Sequence, residues 1–275
     1  MNCDPSNPKG SGIVDVWQEN AVLRFGAIDR SDKLTLDVVF QFFQEAAISH
    51  AENLGVGRED MAKAGQGWIL SRITVFMKKR PKYGETVTIR SWPQGWEKLF
   101  AIRNYEIKDK DNVPVVSARS AWIIVDIEKR RPLRPQAIMD NMPQNKELIS
   151  LTPEENGAVA VTQRDNLVKI TERKALYSDL DYNGHVNNAR YVQWIEDALG
   201  IQYLEKAEKM RLDINYLNEI LENEDIEIFS AKIDDESASQ KPEPGQSELP
   251  VTFAFEGRKK ENSQAAFRAE LKLWS

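Results

Sequence analysis

Three side chains able to hold a water molecule or move a proton stand at alternate positions in one short run: Asp181, Asn183 and His185. In extended or turn-like backbone that spacing places a carboxylate, an amide and an imidazole on one side. Such a set can position water or a nucleophile and accept its proton. The surrounding residues, Asp179 to Asn188, are rich in Asp, Asn and Gly, which favour turns and helix caps. From Val186 the apolar residues recur at Ala189, Val192, Ile195 and Leu199, a helical spacing, with Asn187 or Asn188 as a natural N-cap. The polar turn therefore feeds into the electropositive start of a helix. There the backbone N–H groups of Val186 and Asn187 are expected to hold an oxygen that gains negative charge. A plainer use of the same residues is equally open: an Asp and an Asn in a turn satisfy backbone donors.

Composition narrows the possibilities. The 275 residues are enough for two domains of about 100–150 residues each. No apolar run reaches the ~18 residues a spanning helix needs, so no membrane insertion is expected. A net charge of −6 argues against nucleic acid as a partner. With one cysteine, Cys3, and two histidines, His50 and His185, neither an intrachain disulfide nor a zinc site of the usual kind can be assembled. No metal and no cofactor are expected. The segment from Met1 to Gly12 is polar, without an apolar core or an Arg-rich character, so no secretory or transit signal is visible and a cytoplasmic location is expected.

The elements that must position the turn follow from periodicity. A strand is expected within Val14–Ile28. A turn at Asp29–Lys33 follows, and then a helix over Leu34–Leu54 with Leu36, Val39, Phe40, Phe43, Ala47, Ile48 and Ala51 on one face. His50, late in that helix, has no partner constellation in sequence and reads as structural or surface. Alternating or apolar runs predict strands over Gly67–Lys79, Glu85–Trp92, Phe100–Lys108 and Val115–Glu128. From 132 to 165 prolines punctuate a polar linker. The second half repeats the order: a strand over Leu167–Leu176, the turn, a helix to about Lys206, and strands at Met210–Asn218, Asp225–Ile233, Val251–Gly257 and Ala265–Trp274. An exposed insertion is expected over Asp234–Leu249. A long helix followed by antiparallel strands, twice, is an α+β tandem (double) hotdog, divided at 13–131, 132–165 and 166–275. Aligning the halves puts Asp29, Ser31 and Lys33 over Asp181, Asn183 and His185, so the first half lacks the amide and the imidazole.

The string D-x-N-x-H-V-N-N from Asp181, followed by Tyr191, Trp194 and Glu196, resembles the signature of the acyl-acyl carrier protein (acyl-ACP) thioesterases, the family typified by plant plastid enzymes with bacterial relatives. The resemblance runs over nearly the whole chain. It implies a catalytic set of Asp181, Asn183, His185 and a Glu in a Tyr-x-x-Glu pattern, here Tyr216-Leu217-Asn218-Glu219. It further implies hydrolysis of fatty acyl-ACP to free fatty acid, with an N-terminal half that holds the acyl chain and a C-terminal half that performs the chemistry. Many plant members carry a cysteine after that Glu; here Ile220 stands there, which excludes a cysteine nucleophile. Asp181 remains open as either a nucleophile or an orienting group. Phe40, Phe43 and Phe76 are candidates for lining the acyl tunnel. Lys78, Lys79, Arg80, Arg130 and Arg131 are candidates for docking an acidic carrier protein. Other readings are an acyl-CoA thioesterase of the same fold and a catalytically silent acyl- or carrier-binding protein. A monomer and a homodimer are both compatible with the duplicated fold.

Overall fold

The computed structural model describes residues 12–134, 138, 142–152, 155–233 and 250–275. The expected insertion at Asp234–Leu249 and Cys3 lie outside these residues. In chain order the strands are β1 (Trp17–Val22), β2 (Gln66–Met77), β3 (Thr86–Glu97), β4 (Phe100–Lys108), β5 (Pro114–Asp126), β6 (Arg131–Pro132), β7 (Val168–Lys174), β8 (Lys209–Tyr216), β9 (Asp225–Ile233), β10 (Val251–Lys259) and β11 (Ala265–Trp274). The helices are α1 (Leu36–Asn53), α2 (Arg58–Lys63), α3 (Asn188–Leu199) and α4 (Ile201–Leu204). All eleven strands join one antiparallel sheet in the order β1-β3-β4-β5-β2-β8-β11-β10-β9-β7, with β6 appended to β5.

That order is a palindrome of the repeat: β1, β3, β4, β5 and β2 of the first half answer to β7, β9, β10, β11 and β8 of the second. The halves meet at the β2–β8 ladder, where Arg72 opposes Asn215, Thr74 opposes Asp213 and Phe76 opposes Arg211. A local two-fold axis therefore passes between Thr74 and Asp213. At that point the Thr74 hydroxyl donates to Asp213 Oδ1 at 2.5 Å, and the Arg211 guanidinium closes on the same carboxylate. A buried acid is tolerable only when paired and hydrogen-bonded in this way.

Both long helices lie on the inner face of the sheet, and their apolar stripes join one continuous core that spans the two halves. On α1 the stripe is Leu36, Val39, Phe40, Phe43, Ala46, Ala47 and His50. On α3 it is Ala189, Val192, Ile195 and Leu199, with Tyr191 and Trp194 also buried. The second helix is shorter than its periodicity predicts. Gly200 adopts φ 94°, a conformation β-carbon-bearing residues avoid, so the helix stops at Leu199 and a single turn, α4, follows at an angle. The short α2 has no counterpart in the sequence reading. His50 is structural: Nε2–H donates to the Val14 carbonyl and Nδ1 accepts from the Arg103 guanidinium. Burial and the Arg103 charge pull its pKa down to about 4. Met142 is buried beside the ends of α1 and α2, and residues 150–152 and 155–161 are strapped to the outer face of the sheet, with Leu151 and Ala158 buried, Ala158 N–H donating to Thr74 and Val161 N–H donating to Asn215.

The two helices are coupled by Glu196 of α3, whose two carboxyl oxygens accept the N–H groups of Leu36 (3.0 Å) and Asp37 (3.1 Å) at the start of α1. Burial first, then the charge of Asp37, pushes its pKa up to about 8, against the pull of those two N–H groups and of Arg80. A carboxyl that binds its proton more tightly folded than unfolded stabilises the fold fully below its ordinary pKa and loses that contribution as pH rises through 8. Glu196→Gln removes that titration but replaces one of the two acceptor oxygens with a donor, so its stability relative to the parent should be lower at pH 5 and should rise between pH 5 and pH 9, the rise being on the order of a few kcal/mol. Denaturant unfolding at the two pH values measures this; equal shifts at both would contradict it.

Candidate active site

The turn at 181–185 is built by its own aspartate. Asp181 N–H donates to the His185 carbonyl, and Gly184 N–H donates back to the Asp181 carbonyl, with Gly184 at φ 77°. Asp181 Oδ1 accepts the backbone N–H groups of Asn183 (2.8 Å) and His185 (3.3 Å), and Oδ2 accepts from the Asn183 amide at 3.4 Å. The carboxylate is thus occupied in holding the turn, and the turn delivers the imidazole of His185 to the surface beside α3.

The expected carbonyl donors do not stand where the sequence reading puts them. Val186 N–H donates to the Ile220 carbonyl and Asn187 N–H to the Asp179 carbonyl, both at 2.9 Å. These bonds tie the turn to the segment after β8 and to the turn's own start, so neither N–H is available to a ligand. One residue further along, Asn187 caps the helix and takes the Ala189 N–H at 2.9 Å. Asn188 N–H, between them, has no acceptor among the described residues. The electropositive tip of α3 is therefore open at Asn188.

Glu219 reaches the same place from β8. Beyond Tyr216 the chain turns, with the N–H groups of Leu217 and Asn218 both donating to the Ala266 carbonyl and the Asn218 amide donating to Ala265. The Tyr216 hydroxyl donates to the Asn188 carbonyl at 3.0 Å, fixing the end of β8 against the start of α3. Tyr191 packs edge-on against both Tyr216 and Phe267, and its burial pushes the phenol above its ordinary pKa. The Tyr-x-x-Glu pattern thus has a mechanical reading: the tyrosine is the anchor and the glutamate the group delivered. His185 Nε2 and Glu219 Oε2 lie 3.3 Å apart, with their side chains 38% and 47% exposed. The structure brings Asp181, Asn183, His185 and Glu219 together. Among the described residues, no three His, Cys, Asp or Glu side chains are grouped as metal ligands.

The equivalent place in the first half shows what became of the repeat. Asp29 Oδ1 accepts from Ser31 and Lys33 just as Asp181 does from Asn183 and His185. Leu34 N–H donates to the Pro81 carbonyl as Val186 N–H does to Ile220, which makes Arg80 the counterpart of Glu219. Arg80 is buried. Its guanidinium is spent on Asp29 (2.6 Å) and on the carbonyls of Leu34 and Leu204. The expectation that Arg80 docks a carrier is overturned, because it meets no solvent. Lys78 pairs with Glu155 and Lys79 with Asp109, while Arg130 and Arg131 are exposed with no ion pair among the described residues. Phe40 and Phe43 point into the core, Phe43 stacking on Tyr105. Phe76 does not: it lies on the outer face, beside Trp274 and under Lys78, and cannot line a space between helix and sheet. A further contact had no signal in the sequence: Arg58 of α2 lays its guanidinium 3.7 Å over the ring of Tyr182, so the first half reaches over the turn of the second.

Two helices, each backed by its own half of a continuous antiparallel sheet and related by a local two-fold axis, define a double hotdog protein. The chain matches the acyl-ACP thioesterase N-terminal domain over residues 14–142 and the C-terminal domain over residues 162–269, and it belongs to that family. It is 24% identical over 232 residues to the chloroplastic oleoyl-acyl carrier protein thioesterase 2 of Arabidopsis thaliana, covering 78% of this chain and 62% of that protein. It is 26% identical over 222 residues to the palmitoyl-acyl carrier protein thioesterase of Cuphea hookeriana, covering 76% and 54%. The chain thus spans a little over half the length of these relatives. In fold it is similar to an acyl-ACP thioesterase from Bacteroides thetaiotaomicron (22% identity, TM-score 0.75, 95% of this chain and 98% of that one) and to the 12:0-ACP thioesterase of Umbellularia californica (19%, 0.77, 94% and 93%).

Proposed function

We propose that this protein hydrolyses the thioester of medium- or long-chain fatty acyl-ACP, releasing the free fatty acid and ending chain elongation. The observation that carries the reading is the His185–Glu219 pair, 3.3 Å apart, beside a helix start whose Asn188 N–H has no acceptor among the described residues. A thioester needs a polarised carbonyl, an activated water and a leaving thiolate. The thiolate requires little acid assistance near neutral pH, its reference pKa being about 8.5. Asn188 N–H, at the positive end of α3, supports the carbonyl oxygen as charge develops on it. Glu219 and His185 take the proton of a water molecule as its oxygen attacks the carbonyl carbon. Collapse of the tetrahedral intermediate breaks the C–S bond, and the proton passes from the pair to the departing sulfur.

Asp181 is assigned to positioning. The same carboxylate performs the same turn-holding task in the first half, where Lys33 and Arg80 leave no chemistry to serve. Asn183, donating to Asp181 and exposed, orients water or the imidazole. Phe40 and Phe43, in the core between α1 and the first half-sheet, are the residues proposed to meet the acyl chain. The single cysteine, Cys3, suits a reducing compartment such as the cytosol.

The sheet topology favours one basic island over the other for the carrier. Since β2 and β8 run antiparallel, Glu219 follows β8 beyond the Arg72–Asn215 pair, toward the end where β2 begins. There β5 ends opposite Gln66 at Asp126, with Arg130 at the end of the turn to β6 and Arg131 as the first residue of β6, paired with Asp126. Lys78 and Lys79 sit at the opposite end, beside the closed first-half counterpart. Arg130 and Arg131, with Arg58 nearby at the same end, thus form the positive rim an acidic carrier would meet.

His185→Ala should lower kcat on acyl-ACP by roughly 10²–10⁴-fold with the fold intact; unchanged turnover would remove His185 from the mechanism, and a parent protein that binds acyl-ACP without turnover would be a binding module. Single-turnover hydrolysis in heavy-oxygen water should place label in the fatty acid and none in the Asp181 side chain, whereas labelled Asp181 would restore it as nucleophile. Reversing Arg130 and Arg131 to Glu should raise KM for a carrier-bound acyl chain and leave hydrolysis of the same chain on CoA or a short thioester unaltered. Equal effects on all three substrates would remove the docking assignment.

A further inference from the structure

The internal repeat holds a copy of the site with its ligand position already filled. Asp29 answers to Asp181, Leu34 to Val186 and Thr35 to Asn187, each pair with the same hydrogen bonds or cap position. Leu36 therefore answers to Asn188 as the first helical residue, and along the helices Gln44 answers to Glu196. In the first half, the N–H groups of Leu36 and Asp37 are capped by Glu196, which crosses the two-fold axis from α3. With its pKa at about 8, Glu196 is mostly protonated near neutral pH. Its two oxygens take the helix-start N–H groups in the place a thioester carbonyl would take in the other half. The first-half site is closed by a side chain of the protein itself.

By the same two-fold relation Gln44 of α1 is the counterpart expected at the start of α3, where Asn188 N–H has no acceptor among the described residues. Gln44 is half-buried, and its amide makes no hydrogen bond among the described residues. The chemical difference between the two counterparts matters. A carboxyl is chiefly an acceptor, suited to satisfying helix N–H groups; a carboxamide also carries two N–H donors. Replacing the acceptor with a donor turns a plugged helix start into one that lacks an oxygen and has two sources of hydrogen bonds facing it: Asn188 N–H from its own half and the Gln44 amide from the other.

Resting on the thioesterase reading above, we infer that Gln44 is a substrate-positioning residue, contributed by the non-catalytic half, whose side-chain N–H holds the thioester carbonyl oxygen together with Asn188 N–H. The site then depends on both halves: the second supplies the proton-handling pair and the first supplies one of the two carbonyl donors.

The test uses the full chain and three variants, Gln44→Ala, Gln44→Glu and, as a fold control, Gln44→Met. Gln44→Ala and Gln44→Met should lower kcat by about 10- to 100-fold, toward the effect of losing one carbonyl donor, with thermal midpoints within a few degrees of the parent. Gln44→Glu should be at least as impaired, because it recreates the plug of the first half. A binding measurement separates this inference from the thioesterase reading. Two non-hydrolysable acyl-pantetheine analogues are compared, an amide that keeps the carbonyl and a thioether that lacks it. Gln44→Ala should weaken binding of the amide at least fivefold and leave the thioether unchanged. That contrast is readable even if the parent hydrolyses nothing, a result that would sink the thioesterase reading alone. Equal affinities of parent and variant for the amide, or a Gln44→Glu variant as active as the parent, would overturn the assignment of Gln44.

Discussion

The pairing of β2 with β8 is the constraint on which the rest of the molecule depends. Because the strands run antiparallel about Thr74 and Asp213, the two halves are inverted with respect to each other, and whatever lies at one end of the first half lies at the opposite end of the second. The helices packed beneath must then cross with each start facing the middle of the other. This is why Glu196 can cap α1 and why the site in the second half is bordered by α1 and α2 of the first. The buried Asp213 at the axis is accommodated because Thr74 and Arg211 complete its hydrogen bonds, and Arg211 in turn holds the carbonyls of Glu155 and Asn156 in the strap between the halves. The outer strap and the inner helices are thus fixed to the same two strands.

On this shared backbone the halves diverge through a few side chains. An imidazole and a carboxylate can exchange a proton near neutral pH; a lysine and an arginine cannot, since a guanidinium stays charged throughout the accessible range. Where the second half carries His185 and Glu219, the first carries Lys33 and Arg80, and both cations have been put to mechanical use. Lys33 pairs with Glu208, and Arg80 fastens Asp29 and the carbonyls of Leu34 and Leu204, so the end of α4 is held down onto the first-half turn. The lost chemistry has been converted into a clamp between halves. In the mirrored location Glu219 faces His185 instead, and among the described residues no such clamp closes the turn.

Much of this could be read from the residues. Strand positions came through within a few residues because alternation over β3, β4, β9 and β11 is strong, and the repeat was visible in the Asp29 and Asp181 turns. The convergence of Glu219 on His185 rested on pattern and spacing, and the structure supplies its cause in the Tyr216 anchor. What failed did so for identifiable reasons. The helix expected to Lys206 ends at Gly200 because one residue with positive φ outweighs a favourable propensity on either side. Val186 and Asn187 were assigned as carbonyl donors by adjacency to the helix, but a β-bridge-like tether to Ile220 consumes the first N–H, and the start of the turn at Asp179 takes the second. Arg80 reads as surface charge inside a run of basic residues, and only the fold reveals that the run crosses from exposed strand end to buried clamp within three positions. Phe76 fell on the wrong face because the irregularity in β2 pairing between Leu70 and Arg72 resets which residues point inward.

A duplicated fold also allows a distinction that a single site does not. A residue present in both halves, where only one half keeps the proton-handling pair, is explained by what the halves share, namely the backbone. Asp29 and Asp181 are such a pair, and each spends its carboxylate on the N–H groups of its own turn. Residues that differ between the halves are explained by what only one half does: Asn183, His185 and Glu219 against Ser31, Lys33 and Arg80. By that criterion Asp181 belongs with the backbone of its turn, and the pairing of His185 with Glu219 is what sets the second half apart. The difference between Glu196 and Gln44 passes the same filter. Those two side chains stand in equivalent places on equivalent helices: Glu196 caps the helix start opposite it, and Gln44 makes no hydrogen bond among the described residues, which is the difference the inference above rests on.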